Sequence, residues 1–219
     1  MKGIKRIVVI NTKGGCGKTT ISTNLASYYA SKGINTALFD YDPQGSSMRW
    51  LKLRSDQMSD IYGVVAHRNA AKSVTMSWQL RLPVETQRVI IDTPPGLKGP
   101  ELREQLKGVD KIIIPVLPSP LDIFATADFI RDLLLDVKVR LNQTSIGIVA
   151  NRVKKNTIAF QSLERFLSSL NIPVVARLRD SQNYLRATEE GMGVHELKGK
   201  NAYIDRLHWK QVVEWLDKN

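Results

Sequence analysis

The chain has 219 residues, 42% hydrophobic and 24% charged, with a formal net charge of +11. That length suits one α/β domain spanning residues 1–219 with a sizeable core, and no apolar run reaches the ~20 residues a membrane span needs. The first residues lack the apolar stretch of a secretory signal and the one cysteine, Cys16, excludes an internal disulfide, so the composition predicts the reducing cytoplasm.

The first expected strand, Lys5–Asn11, runs into Lys13-Gly14-Gly15-Cys16-Gly17-Lys18-Thr19-Thr20. A helix is expected from there over Thr19–Lys32, stopped by Gly33. Glycines let a backbone curl until its N–H groups face phosphate oxygens. Lys18 supplies a charge for the β/γ-phosphates, the Thr19 hydroxyl a ligand for Mg²⁺, and the helix the positive end of its dipole. At Cys16 a small apolar side chain suffices. The second strand, Thr36–Asp40, ends in Asp40-Tyr41-Asp42-Pro43-Gln44-Gly45. A weaker strand is expected at Ile61–Ala66, inside a segment, 53–86, that is otherwise unreadable. The strand Arg88–Asp92 closes on a carboxylate suited to Mg²⁺ or its bound water. Thr93-Pro94-Pro95-Gly96 follows, with Gly96 and Gly99 free to move. Further strands are expected at Lys111–Val116, Ser145–Asn151 and Pro173–Ala176, and helices at Leu121–Leu141, Thr157–Leu170, Ser181–Glu190 and Ala202–Asp217. Alternating apolar strands and helical patterns predict a doubly wound, mostly parallel sheet with helices on both faces. In such sheets a ligand sits beyond the carboxyl ends of the strands.

The loop departs from the ordinary phosphate-binding pattern, which would place glycine where Thr12 stands. Its K-G-G-x-G-K-T-T form resembles the deviant Walker A loop of the ParA/MinD group of P-loop ATPases, and D-x-D-P-Q-G-x-S resembles that group's first switch. The resemblance implies an ATPase using ATP and Mg²⁺, with Lys13, Lys18 and Asp42 catalytic and Asp42 orienting the attacking water. Lys13 through Thr20 would hold the nucleotide, and Thr19, Asp40 and Asp92 the metal, Asp40 also supporting the loop. Asn151 would read the adenine edge beside Arg152, with Pro173 and Arg177 as a second base-contacting segment. Lys13 would reach the phosphates of a second copy, so that ATP drives a homodimer.

The surplus of positive charge predicts a polyanionic partner, nucleic acid or an anionic membrane. Lys and Arg outnumber acids between Lys138 and Lys200, a stretch that also holds Arg140. No helix-turn-helix or finger pattern accompanies them. Lys154, Lys155, Arg179, Arg186, Lys198 and Lys200 are the candidates for non-specific contact with the DNA backbone. By the resemblance, the protein would associate with the nucleoid and position a cargo (plasmid, chromosome or protein organelle) through a ParB-like or other adaptor that stimulates hydrolysis. The alternative is a MinD-like membrane-associated regulator. Against it, the expected helix Ala202–Asp217 balances Arg206, Lys210 and Lys218 with Asp205, Glu214 and Asp217, and its apolar stripe suits a core. Electron-delivering and cluster-assembling relatives need more cysteines than Cys16.

Overall fold

The computed structural model describes residues 4–67, 82–135 and 144–218. Seven strands form one sheet: β1 (Lys5–Val9), β2 (Thr36–Asp40), β3 (Tyr62–Val65), β4 (Arg88–Asp92), β5 (Lys111–Val116), β6 (Ser145–Val153) and β7 (Val174–Arg179). Their order is β3-β2-β4-β1-β5-β6-β7, and every neighbouring pair is parallel. The central strands β1, β2, β4 and β5 are short runs of Val, Ile, Leu and Phe buried on both faces, as a covered parallel sheet requires. Among the described residues, α1 (Lys18–Ser31), α2 (Ser46–Leu53), α3 (Gly99–Gln105), α4 (Pro120–Leu135) and α5 (Ile158–Ser169) lie between strands, and α6 (Gln182–Glu189) and α7 (Tyr203–Asp217) follow β7.

One core lies between the sheet and α1, α2, α6 and α7, with Ile21, Leu25 and Tyr29 of α1 meeting Trp209 and Val212 of α7. The other lies beneath α3, α4 and α5, around Leu102, Phe129, Leu133 and Leu163. Each such fully buried aliphatic side chain contributes on the order of 1.5–3 kcal/mol. Of the apolar stripe on α7, Val212 and Leu216 are buried in the first core, while Ile204 and Leu207 remain exposed.

The chain leaves β1 toward β2 and leaves β5 toward β6, so a crevice opens beyond the carboxyl end of β1. β2, β4 and β5 end where the sequence places them. α2 and α3 are additions. β7 begins one residue later than expected and runs on to Arg179. The helix expected over Leu121–Leu141 is α4; its final part, with Lys138 and Arg140, lies outside the described residues.

Candidate nucleotide site

The loop after β1 is pinned at its entrance by Asn11. This buried side chain donates from Nδ2 to the Pro115 carbonyl at 2.8 Å and to the Thr126 hydroxyl at 3.0 Å. Its Oδ1 accepts the Lys13 N–H at 3.1 Å. Gly15 (φ 76°) and Gly17 (φ 100°) then turn the chain through the left-handed region. Gly17 has a second constraint: a Cβ there would come within 2.1 Å of Asn151 Nδ2. Gly17 is the N-cap of α1, so the unpaired N–H groups of the first helical turn open onto the crevice. Lys18 arches over the loop, its Nζ 3.0 Å from the Lys13 carbonyl.

A cleft of about 260 Å³ forms here, lined by Gly14, Gly15, Gly17, Lys18, Thr19 and Thr20 of the loop together with Asp42, Gln44, Ser46, Pro95 and Arg152. Residues from the ends of β1, β2, β4 and β6 thus meet around one space. The segment after β4 is tied to the loop, Gly96 N–H donating to the Thr12 carbonyl at 2.9 Å. Asp42 Oδ1 accepts the Gln44 N–H at 2.9 Å, which fixes the turn into α2 and sets the carboxylate in the cleft wall.

Asp92 is fully buried. Its Oδ1 accepts from the Ser22 hydroxyl at 3.3 Å, and its Oδ2 has no hydrogen-bond partner among the described residues. Burial, with the nearby Asp40 charge adding to it, pushes this carboxyl up to about 7, while the neighbouring Thr19 hydroxyl, the Ser22 hydrogen bond and the charge of Lys18 pull the other way. An orphaned carboxylate oxygen beside a threonine hydroxyl fits a hard divalent cation. Thr19 and Asp92 are therefore the groups that would hold Mg²⁺, which when bound neutralises phosphate charge.

Asp40 does not join them. Both of its oxygens are taken by backbone N–H groups, Asp42 at 3.0 Å and Met48 at 3.1 Å, so it shapes the first-switch turn and the start of α2. Asn151 is likewise committed. Its Nδ2 donates to the Cys16 carbonyl at 2.8 Å and its Oδ1 accepts the Arg152 N–H at 3.0 Å, so its amide braces the loop while keeping a second N–H and a second lone pair.

Pro173 and Arg177 do not form a base-contacting segment. Pro173 precedes β7, at the amino edge of the parallel sheet, away from the cleft. Arg177 forks onto Glu164 of α5 at 2.8 Å through both Nε and Nη2. A second cavity of about 380 Å³ instead adjoins the cleft past the end of β7, lined by Thr20, Asn151, Arg152, Asp180, Ser181, Gln182, Tyr184, Leu185 and Thr188. Thr20 and Arg152 border both spaces. Arg152 holds φ 50°, a left-handed conformation uncommon outside glycine. The general rule that ligands collect at carboxyl strand ends would have found Asp180–Gln182, had the end of β7 been placed correctly.

The candidate DNA contacts divide. Arg179 forks onto the fully buried Asp205, at 2.7 and 2.9 Å, and Ser181 and Asn183 bond the same carboxylate. Arg179 is therefore a structural residue. Lys154 pairs with Asp180 at 3.2 Å and Arg186 with Glu190 at 3.3 Å, both at the surface. Lys155, Lys198 and Lys200 are exposed, and among the described residues they form no ion pair.

The family model for the CobQ/CobB/MinD/ParA nucleotide binding domain matches residues 7–194. The chain is 30% identical over 199 residues to the maintenance of carboxysome distribution protein A of Halothiobacillus neapolitanus, covering 90% of each. Its fold matches the ATP complex of Cyanothece McdA with a TM-score of 0.71 at 19% identity, covering 99% of this chain and 97% of that one. The Mg-ADP complex of the septum site-determining protein MinD of Pyrococcus horikoshii gives the same TM-score of 0.71, identity of 19% and coverage of 99% and 97%. The chain is a member of the CobQ/CobB/MinD/ParA family of nucleotide-binding domains.

Proposed function

We propose that this protein is a ParA-type ATPase, one domain throughout, that dimerises with ATP and Mg²⁺, binds DNA without sequence preference, and positions a cargo through an adaptor that stimulates hydrolysis. One observation carries the reading: the phosphate loop behind Lys13 and the Asp42 turn line a single cleft, and the buried Asp92 carboxylate, with one oxygen unpartnered among the described residues, lies beside its Thr19. The similarity to a carboxysome distribution protein across most of both chains supports positioning as the use of that chemistry. Lys18 and the loop N–H groups hold the phosphates, Arg152 stands between the phosphate cleft and the neighbouring cavity that would take the base, and Asp42 orients the attacking water. Lys13 lies outside the cleft lining of its own subunit, as a group acting on a second copy's nucleotide would.

Two substitutions separate the parts. Lys18→Ala abolishes nucleotide binding, measured with a fluorescent ATP analogue; unchanged affinity overturns the loop assignment. Lys13→Ala leaves binding by the monomer within a few-fold but removes the ATP-dependent dimer in sizing chromatography with a hydrolysis-resistant analogue.

A further inference from the structure

Two cavities follow one another between α7 and the end of α1, and neither shares a lining residue with the nucleotide cleft. One, of about 410 Å³, is bordered by Tyr28, Lys32, His195, Arg206, Trp209 and Lys210. The other, of about 520 Å³, is bordered by Tyr28, Lys210, Val213, Glu214, Asp217 and Lys218. Tyr28 and Lys210 belong to both, so the two make one groove. Arg206, Lys210, Val213 and Asp217 stand three or four residues apart, on one face of α7. From Arg206 to Asp217 the helix advances about 17 Å, the span of roughly five residues of extended peptide.

Charge is unevenly spread along this groove. Glu196 is taken by Arg54 at 2.6 Å, Glu214 by Lys210 at 3.7 Å, and Asp217 by Arg88 at 3.4 Å and the Tyr29 hydroxyl at 3.1 Å. Each of these acids thus has a cation beside it. Lys32 and Lys218 are exposed and form no ion pair among the described residues. Arg206 donates to the Leu197 and Gly199 carbonyls at 3.0 and 3.1 Å, which leaves its charge uncancelled and other N–H groups free. The cavity at the His195 end therefore carries a positive excess, from Lys32, Arg206 and Lys210. Both His195 ring nitrogens there are buried without a hydrogen-bond partner among the described residues. Beyond Lys210 the wall turns to Tyr28 and Val213, with charges of both signs at its rim.

We propose that this groove docks an acidic peptide segment of a partner protein: its carboxylates enter the cavity of Lys32, Arg206 and Lys210, and an adjoining apolar side chain lies on Tyr28 and Val213. The proposal needs neither nucleotide nor a second copy, so it stands apart from the ATPase reading. Shape selects among the anions that the charge would attract. A free anion fills the first cavity and leaves the second empty. A nucleic-acid backbone brings phosphates but nothing apolar for Tyr28 and Val213. A short acidic peptide supplies both kinds of group within the length of the groove. Guanidinium and carboxylate match in geometry, and a tyrosine at the centre of a groove suits a protein partner.

The test pans the full chain against a random hexapeptide library displayed on phage. The selected peptides carry Asp or Glu next to an apolar residue. Synthetic, fluorescently labelled copies bind in anisotropy titrations, and Lys32→Gln combined with Lys210→Gln weakens them by about threefold to tenfold, the range of two partly exposed ion pairs. Both lysines are exposed, so the double variant keeps the fold. Lys107→Gln, beside α3 on the other face of the sheet, leaves the affinity unchanged. Location is read by NMR: the peptides shift the His195 Cε1–H signal, identified by its loss in His195→Gln. Selection without acidic enrichment, equal affinity in the double variant, or an unmoved His195 signal each overturns the proposal. A mixed-sequence DNA duplex that moves the His195 signal when no selected peptide does would make the groove a phosphate site and overturn peptide docking.

Discussion

His195 sits in a wall of charge without sharing it. Burial lowers its imidazole to about 4, with Arg54 and Lys32 adding to the effect and Glu196 opposing it. Tyr28 packs edge-on at 5.3 Å, and Arg206 and Lys210 of α7 line the same cavity. The folded protein therefore resists a proton that the unfolded chain accepts near 6.5. Stability contributed by the neutral ring is complete above that value and drains away as pH falls toward 4, by on the order of 3 kcal/mol in total. Urea unfolding at pH 7 and pH 5 should show this loss in the wild type and a smaller one in His195→Gln. Identical pH dependence in the two proteins would place the acid sensitivity elsewhere. Residues of this kind were invisible in the chain, because an imidazole's environment comes from three distant elements. The loop residues were legible because their spacing is itself the chemistry: Gly15 and Gly17 occupy left-handed turns, and Lys18 and Thr19 follow where the helix begins. Asp40 and Asn151 each admit two roles for one reason. A polar side chain at a strand end serves a ligand or the neighbouring backbone equally well, and only the hydrogen bonds decide.

At the scale of elements, the strands were readable where a fully buried run ended in a polar residue, as in β4 and β5. β7 was cut short because Arg177 looked like its end; the strand in fact continues, with Arg177 facing α5 and Leu178 buried. That slip of a few residues displaced the base-contacting segment. α2 was missed because its eight residues follow a turn and carry little pattern beyond Trp50. The structure gives this short helix an unusual amount of support. Trp50 Nε1 donates to the Met192 carbonyl at 3.2 Å, and Arg54 forks onto Glu196 at 2.6 and 2.9 Å. The Arg54 and Glu196 side chains are only 5% and 10% exposed. Arg54→Ala leaves a buried carboxylate unpaired and should cost about 3–5 kcal/mol, read as a fall in urea midpoint. Replacing both partners with Met and Leu should recover much of that loss. If the single variant unfolds at the wild-type midpoint, the pair contributes nothing to holding α2.

Across the whole molecule, the net charge of +11 exceeds what one phosphate cleft requires. Acids have absorbed part of the excess: Arg179 serves Asp205, Arg177 serves Glu164, and Lys154 and Arg186 are paired at the surface. Of the candidate DNA contacts, the exposed lysines at 155, 198 and 200 are the ones that form no ion pair among the described residues. Lys155 lies close enough to His208 of α7 to depress its pKa in concert with burial, the larger cause, and Lys200 starts the turn that leads into α7. Lys155 and Lys200 thus lie near the first half of α7. Backbone binding driven by counterion release should lose about 0.9 from the log–log salt slope for each phosphate contact removed. Substituting Lys155, Lys198 and Lys200 with Gln should lower that slope by roughly 2–3 and weaken binding to duplexes of any sequence by similar factors. Arg179→Gln behaves differently. It strips the partner from buried Asp205, so it lowers the melting temperature first. Fluorescence anisotropy across a salt series, with each variant's melting curve alongside, separates the two effects. An unchanged slope in the triple variant would remove DNA as the polyanion, and tighter sedimentation of the wild type with anionic vesicles would then favour a lipid surface.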